Sequence, residues 1–561
     1  MHYQLRLIST SSGVGYFSCR PAEALTMEQE LAYLRSHPND DFMHKHLLDR
    51  VCECDEGQVR QFLEEAGRDP AFQAILYEAI LTHEKFDKLQ HLLDRSELDQ
   101  LAGYTPLIYL RSSLLPDQSL HRRWIELLRQ NIVEHQPFDW AQAQQMPLPY
   151  ARECIAEESS RASINEIRQA MRLVSAEESD GVFSAEETAR SALTRLQQRG
   201  LIAGDEIRHR SSLSPYGFYR KWHLAVAARN GRHDYRLTGV QSSYGKGLRE
   251  GDARASYAME MVERCASFAS FDSLSTTGLA VEQSLIYGRY DEFSRGAAPA
   301  MDPNCLHLEV PYRNEPLYWL MGSRVEELHL RPVLVPVQAI FLFCNLDEIS
   351  LFSGLGSTGL ASGNSLEQAK VSALLEVIER DGQAVTVFDA ARCFKLAADD
   401  AVLAPLLKDY NQRGIHVQFQ DMSAEFGIPC YQCFVVGPRG EIISGAGAHL
   451  DGKRAVISAL TEVPYPYPHG PRSLPAAEDL PTRRFEELPD YSTGSSAADL
   501  ALLEAVLNAH GLHPIYVEIT RQDIGIPVVK ALVPGLELMA DFDRFSRVSP
   551  RMLRNLLRQR G

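Results

Sequence analysis

Residues 247–264 read GLREGDARASYAMEMVER, and residues 363–380 read GNSLEQAKVSALLEVIER. Aligned without a gap, Gly247 falls on Gly363, Ala253 on Ala369, Arg254 on Lys370 and Ser256 on Ser372. Glu260, Glu263 and Arg264 fall on Glu376, Glu379 and Arg380, so both copies share A-x-x-S-x-x-x-E-x-x-E-R. On a helix of about 3.6 residues per turn, the Ser and both Glu of each copy lie on one face. A fainter echo, AVISALTE at 455–462, keeps Ala455, Ser458 and Glu462 but has no second Glu and no Arg.

Two such helices facing one another would bring four carboxylates together. Like charges at that range raise each other's pKa unless something cationic sits among them. Oxygen-rich carboxylate sites suit Mg²⁺, usually bound with water and substrate phosphates. Glu260, Glu263, Glu376 and Glu379 are therefore candidate metal ligands, and Arg264 and Arg380 candidate phosphate partners through their planar fork. The plainer alternative is a pair of amphipathic surface helices with solvated Glu and Arg. One E-x-x-E-R would read that way; the duplicated spacing, with glycine at the same offset, favours a built site.

At 561 residues the chain has room for two to four domain-sized units. Composition is that of an ordinary globular protein, and a net charge of −17 argues against a nucleic-acid-coating role. No apolar run approaches the length of a membrane span. The start, MHYQLRLISTSSGVGYF, lacks a basic segment followed by a long apolar stretch, so a cytoplasmic location is expected. Ten cysteines are scattered, as in a reducing compartment. Cys430-x-x-Cys433 lies in the strand-like run FGIPCYQCFVVG without a second CxxC at zinc spacing, and reads as structural. Cys52-x-Cys54 is an equally weak metal signal.

Residues 1–174 have helical periodicity in stretches such as MEQELAYLRSH and AFQAILYEAILTHEKFDKLQHLLDR, broken by proline turns. The polar, acidic stretch 175–186 marks a junction. A helix opens next, with Ser184 and Glu187 at capping-box spacing and Gly200 as terminator. Beyond it, strand-like runs alternate with helices: WHLAVAARN, YRLTGVQSS, LHLEVPY, VLVPVQAIFLFC, VQFQDMS, IPCYQCFVVG, EIISGAG, PIYVEIT and PVVKALVP. The Pro-rich stretch 464–497 reads as a surface loop. The expected fold class is α+β: a mixed unit over 175–561 preceded by an all-helical N-terminal domain over 1–174.

Several of these stretches carry a family resemblance. SSYGKG at 242–247, S-x-x-x-E-x-x-E-R at 256–264, TGLASGNSLEQA at 358–369 and LLEVIERD at 374–381 come first. GAGAHLDGKRAVISALTE at 445–462 and VEITRQDIGIPVVKALVPGLE at 517–537 follow in the same order. Together they resemble the YcaO superfamily over about 175–540. The resemblance implies an ATP-binding domain with Mg²⁺ held by Glu260, Glu263, Glu376 and Glu379. It implies that Ser256, Arg264, Asn364 and Arg380 contact the nucleotide, with Thr188 where the family often has a nucleotide-contacting Ser or Thr. Lys246, in a glycine-flanked GKG, is a further candidate phosphate contact, or else an exposed Lys in a hairpin turn. Gln368 stands where the family is often acidic and would serve as a neutral ligand. The Gln and Arg that commonly follow Thr461-Glu462 are replaced by VPYPYPHG.

Members of this family activate a peptide backbone amide: a nucleophile adds, ATP phosphorylates the oxyanion, and phosphate departs. A side-chain nucleophile gives an azoline, and an external sulfide gives a thioamide. The final RMLRNLLRQRG is a basic helical tail rather than the Pro-rich tail common in azoline-forming members, so thioamide formation is favoured. The substrate expected is a peptide or protein, and neither nucleic acid nor membrane is expected as a partner. Residues 1–174 would dock a TfuA-like or other sulfur-delivery protein, and homodimerisation is a family expectation. The alternatives are an azoline-forming cyclodehydratase and a non-catalytic ATP-binding accessory of sulfur transfer or ribosomal-protein methylthiolation. His449 in GAGAHLDG is a candidate base, with capping of a loop the favoured reading.

Overall fold

The computed structural model describes all residues except 10–14, 68, 156–161, 173–182, 231–232, 328, 539–540 and 559–561. Among the described residues three sheets organise the chain. The first runs Gly15–Pro21, His2–Ser9, Tyr235–Gly247, Tyr216–Arg229, Ser270–Asp272, Ser275–Thr277. The second runs His329–Pro336, Leu317–Glu326, Ile515–Glu518, Val528–Leu532, Leu360–Ser362. The third runs Ile442–Ala448, Cys430–Val436, Gln418–Asp421, Cys393–Ala397, Thr482–Arg484. This is the mixed α/β unit expected from the alternating runs, with a helical region before it.

Each sheet carries one of the three related helices. The first repeat forms the helix Glu250–Ser267, packed on the two long strands of the first sheet. The second forms Leu366–Val385, packed on Val528–Leu532 and Leu360–Ser362. The echo forms Gly452–Glu462, packed on Ile442–Ala448 and Cys430–Val436. Each helix also reaches a strand of another sheet: the first touches Leu360–Ser362, the second Ile442–Ala448, and the third Tyr235–Gly247. The three units therefore close in a cycle, with the carboxylate faces turned to the middle.

The packing explains the alanine in the shared pattern. Ala253, Ala369 and Ala455 are all fully buried. A Cβ on Gly245 would stand 2.1 Å from the Ala253 carbonyl oxygen, and one on Gly447 2.4 Å from that of Ala455. A Cβ on Gly363 would stand 2.4 Å from the Ala369 nitrogen. Backbone meets backbone at these points, so small residues are required on both sides. The second helix is capped by Ser365, whose hydroxyl accepts from the Gln368 N–H, and the third by Asp451, which accepts from the Lys453 N–H.

The helical region begins at Met27. Before it lies a hairpin, His2–Ser9 with Gly15–Pro21, whose first strand pairs in parallel with Tyr235–Gly247. Tyr3 and Leu5 are buried while Arg6 is exposed, a period-two pattern that the helical reading of 1–174 passed over. A second tie is the fully buried Asp40, whose carboxylate accepts from the Tyr3 and Tyr33 hydroxyls and from Asn345 Nδ2. The helical region and the sheets thus share one core. The boundary at 174/175 falls within 173–182, outside the described residues. The capping box at Ser184 and Glu187 is present.

Two strand expectations fail. LHLEVPY follows a short 3₁₀ turn, Pro303–Leu306, and is irregular, with His307 in the left-handed region. VLVPVQAIFLFC is strand only to Pro336, after which Val337–Ala339 turns. Both runs are apolar because they are buried, which periodicity cannot separate from strand character. Tyr465 and Phe485 in the Pro-rich stretch are buried core residues, so that stretch is not all surface. No helix among the described residues is long and apolar enough to cross a membrane.

Candidate functional site

The first helix presents Glu260 and Glu263 with Arg264 beside them. Arg264 Nε lies 3.5 Å from Glu260 Oε1 and 3.7 Å from Glu263 Oε1. Its Nη2 donates to Ser357 Oγ at 3.0 Å, and Glu260 Oε2 accepts from the Tyr244 N–H at 2.7 Å. On the second helix Arg380 Nη1 lies 3.7 Å from Glu379 Oε1 and donates to Gln383 Oε1 at 2.8 Å. The third helix adds Glu462, which accepts from Lys246 Nζ at 2.7 Å.

These groups sense one another across the cycle. Burial is the main force raising the pKa of Glu260, with Glu462 adding to it and Arg264 opposing. Burial also pushes Glu263 well above the ordinary carboxylate range, with Glu376 and Glu260 adding. Glu376 is raised by burial against the pull of Arg380, Arg264 and Lys530. Glu379 is pushed up to about 8 by burial, with Glu376 and Glu462 adding. Arg264 holds its proton more tightly than usual: burial alone would loosen it, but Glu263, Glu260 and Glu376 outweigh that. Lys530, fully enclosed on Val528–Leu532, donates to the Thr358 carbonyl, and burial brings it down to about 8.

The cluster is a set of hard oxygen donors short of positive charge. That is the condition a divalent cation relieves, and the donor chemistry fits Mg²⁺. As placed, no three His, Cys, Asp or Glu side chains among the described residues converge closely enough to hold a metal ion. The sequence expectation of four carboxylates gathered at one point is met only as mutual influence. Glu260 is anchored by the Tyr244 N–H and Glu462 by Lys246.

A second polar group lies at the start of the second repeat helix. Asn364 Nδ2 donates to Thr188 Oγ1 at 3.0 Å, and the Asn364 N–H donates to Gln368 Oε1 at 2.8 Å. The helix Ala185–Gln198, which carries Thr188, packs along the first repeat helix. Thr188, Asn364 and Gln368 are therefore brought together, as three polar side chains able to meet a sugar or phosphate. Ser256 is exposed on the stripe. Lys246 lies in the strand Tyr235–Gly247 and not in a turn. Gly245 and Gly247 beside it serve the close approach of the first helix.

Sequence reasoning passed over Lys530, Ser357 and the role of Glu462. The third echo was the available signal for Glu462; nothing local marks the other two. His449 accepts from the Asp451 N–H at 2.9 Å, the contact of a loop cap, and burial lowers its pKa to about 4. Cys430 and Cys433 are buried thiols with pKa values raised by burial, and they are structural.

A sequence model of the YcaO cyclodehydratase family, described as ATP- and Mg²⁺-binding, matches residues 244–465 and 463–537. An uncharacterized protein of Methanothermobacter thermautotrophicus is 31% identical over 349 residues, covering 55% of this chain and 85% of the relative. An uncharacterized protein in the tfuA 3′ region of Rhizobium leguminosarum bv. trifolii is 27% identical over 236 residues, covering 39% of this chain and 53% of the relative. Among solved structures, YcaO from Methanopyrus kandleri bound with AMPPCP and Mg²⁺ is similar with a TM-score of 0.45 and 22% identity, over 63% of this chain and 91% of that one. The family match covers more than half of the chain and every helix of the cycle. The chain belongs to the YcaO family and is an ATP-dependent YcaO-type enzyme whose cofactors are ATP and Mg²⁺.

Proposed function

We propose that this enzyme activates a backbone amide of a peptide or protein by O-phosphorylation, with a thioamide as the favoured product. The observation that carries the reading is the half-buried cluster of Glu260, Glu263, Glu376 and Glu379, four carboxylates set against the three cations Arg264, Arg380 and Lys530. Those four would hold Mg²⁺. Arg264 and Arg380, at the ends of the two stripes, would position phosphate oxygens with planar donors. Ser256, Lys246, Thr188, Asn364 and Gln368 complete the nucleotide contacts. ATP with Mg²⁺ supplies the phosphoryl group that makes the amide oxygen a competent leaving group.

The Rhizobium relative, described as lying in the tfuA 3′ region, supports a TfuA-like sulfur-delivery partner. The helical region from Met27 onward offers a surface for it, and a homodimer is the proposed assembly. The family's description as a cyclodehydratase favours a second reading, azoline formation.

Product mass separates the two readings. Exchange of oxygen for sulfur adds mass, whereas ring closure loses one water. Calorimetry of ATP with and without Mg²⁺, on wild type and on Glu376→Gln/Glu379→Gln, tests the site. Metal-dependent binding that is lost in the double variant supports it, and binding unchanged by the substitutions removes the carboxylate stripe as the metal site.

A further inference from the structure

The short strand Leu360–Ser362 is entered through a β-turn, closed by the Leu360 N–H on the Ser357 carbonyl at 2.8 Å. The third residue of the turn, Gly359, has a φ of +77°, the type II arrangement that calls for glycine. The turn is pinned on several sides. The Gly359 carbonyl accepts from the Ala531 N–H at 2.7 Å, and the Thr358 hydroxyl donates to the Leu538 carbonyl at 3.0 Å. A Cβ on Gly359 would stand 2.2 Å from the Ala531 carbonyl oxygen and 2.9 Å from Val377 Cγ2. Val377 follows Glu376, so the turn lies directly against the second repeat helix.

The central peptide of the turn sits between two charges. Its carbonyl, from Thr358, accepts from Lys530 Nζ at 2.8 Å. In a trans peptide the N–H points the opposite way. The Gly359 N–H faces Glu376, where it helps to counter the rise in pKa that burial causes.

The first repeat helix meets the same segment. Arg264 Nη2 donates to Ser357 Oγ at 3.0 Å, and Ser362 Oγ donates to the Met259 carbonyl at 2.9 Å. Glu260 and Glu263 pull Arg264 the other way, at 3.5 and 3.7 Å from its Nε. The guanidinium has more N–H donors than these three partners, so some are left for a ligand. Without the Ser357 hydroxyl only the carboxylates would pull, and the guanidinium would settle on two of the candidate metal ligands.

We propose that Ser357 is a positioning residue of the nucleotide site: it acts through Arg264, holding the guanidinium off Glu260 and Glu263 and in a fixed relation to Glu376, so that phosphate oxygens and Mg²⁺ are received together. The turn gives Ser357 this role because it is fastened to both repeat helices, which a serine on a free loop is not. The inference rests on the reading of Arg264 as a phosphate partner and of the carboxylates as Mg²⁺ ligands, and it adds a residue outside both repeat copies.

The test is a cycle of full-chain variants, read by calorimetry of ATP in saturating Mg²⁺. It takes Ser357→Ala, Arg264→Met and the two together, with Ser357→Thr as the variant that keeps the hydroxyl. Ser357→Ala is expected to weaken binding about tenfold, as for one hydrogen bond to a charged group, and Ser357→Thr by about twofold at most. In the Arg264→Met background, Ser357→Ala is expected to change binding by less than about twofold, because its effect has lost its carrier. At fixed ATP, Ser357→Ala is also expected to raise the half-saturating Mg²⁺ concentration, since Arg264 then competes for Glu260 and Glu263. Wild-type affinity in Ser357→Ala overturns the inference, and so does a Ser357→Thr variant as weak as Ser357→Ala. A loss that recurs in full in the Arg264→Met background overturns it too, because a merely structural serine would give that result. If Glu376→Gln/Glu379→Gln abolishes binding that Ser357→Ala spares, the inference falls and the metal-site reading stands. Wild-type affinity in Arg264→Met removes the phosphate contact itself, and the inference falls with that part of the reading.

Discussion

The two repeat helices carry one pattern and end differently. On the first, Arg264 is drawn in among Glu260, Glu263 and Ser357, with 27% of its side chain exposed. On the second, Arg380 leans outward to Gln383 and is 42% exposed. The residue after the arginine differs more. The first helix has Cys265, a buried thiol in an apolar setting. The second has Asp381, fully buried, which accepts from the Glu537 N–H and from the guanidinium of Arg551 on the helix Pro550–Arg558. Arg551 also donates to Glu425, and Glu537 bonds His307. The shared residues thus set the face toward the cluster. The unshared neighbour decides that only the second helix is fastened to the chain's last helix.

The sharpest way to break the comparison is to disarm each stripe in turn. Glu260→Gln/Glu263→Gln and Glu376→Gln/Glu379→Gln are each expected to weaken Mg²⁺-dependent ATP binding by roughly a hundredfold or more, read by calorimetry. Loss from only one pair would show that the duplication is structural on the other side. The next largest effect is on stability. Asp381→Ala takes from the buried Arg551 one of its two carboxylate partners, leaving Glu425, and is expected to cost about 3 kcal/mol in denaturant unfolding. Cys265→Ala at the matching position removes only a small apolar group and is expected to cost about 1 kcal/mol.

A pH series sharpens the contrast further. Glu379 titrates near 8 in the fold and near 4.5 when unfolded, so the native state binds its proton more tightly. Stability without nucleotide or Mg²⁺ should therefore be highest below about pH 4.5 as far as this group is concerned. It should fall as pH rises to about 8, and level off above. Glu379→Gln should flatten that slope in thermal melts, and Glu260→Gln should flatten it less, because Arg264 and the Tyr244 N–H already counter its charge. The smallest effect separates the two arginines. Arg264→Lys should raise the KM for ATP about tenfold more than Arg380→Lys, since Arg264 is held by three partners and is the less exposed of the two.

How much of this was legible follows from where the information lies. The carboxylate stripes were readable because a helical period puts Ser256, Glu260 and Glu263 on one face whatever surrounds them. The alternation of strands and helices after residue 200 was largely readable from apolar runs bounded by turns. Lys530 was not, because PVVKALVP is an apolar strand whose one charge shows no purpose until Thr358 and Glu376 are placed around it. Asp381 looked like one more acid after an arginine, and its partner lies 170 residues away. The hairpin at the start was hidden by the helical texture that follows it. The cyclic closure of three sheets depends on contacts that no local pattern encodes.

That hairpin has a consequence for the order of assembly. His2 and Thr238 are hydrogen-bonded neighbours 236 residues apart. The helices between them are, topologically, an excursion between two adjacent strands of one sheet. A ribosome adding about 5–20 residues per second needs roughly 12 to 50 seconds to supply the second strand. During that interval the strand His2–Ser9 is without its native partner on one side, while the helices after it already have the means to pack. The N-terminal hairpin therefore joins its sheet late, over a helical region that is already formed, once Tyr235–Gly247 arrives, and Ser270–Asp272 and Ser275–Thr277 then extend the far edge.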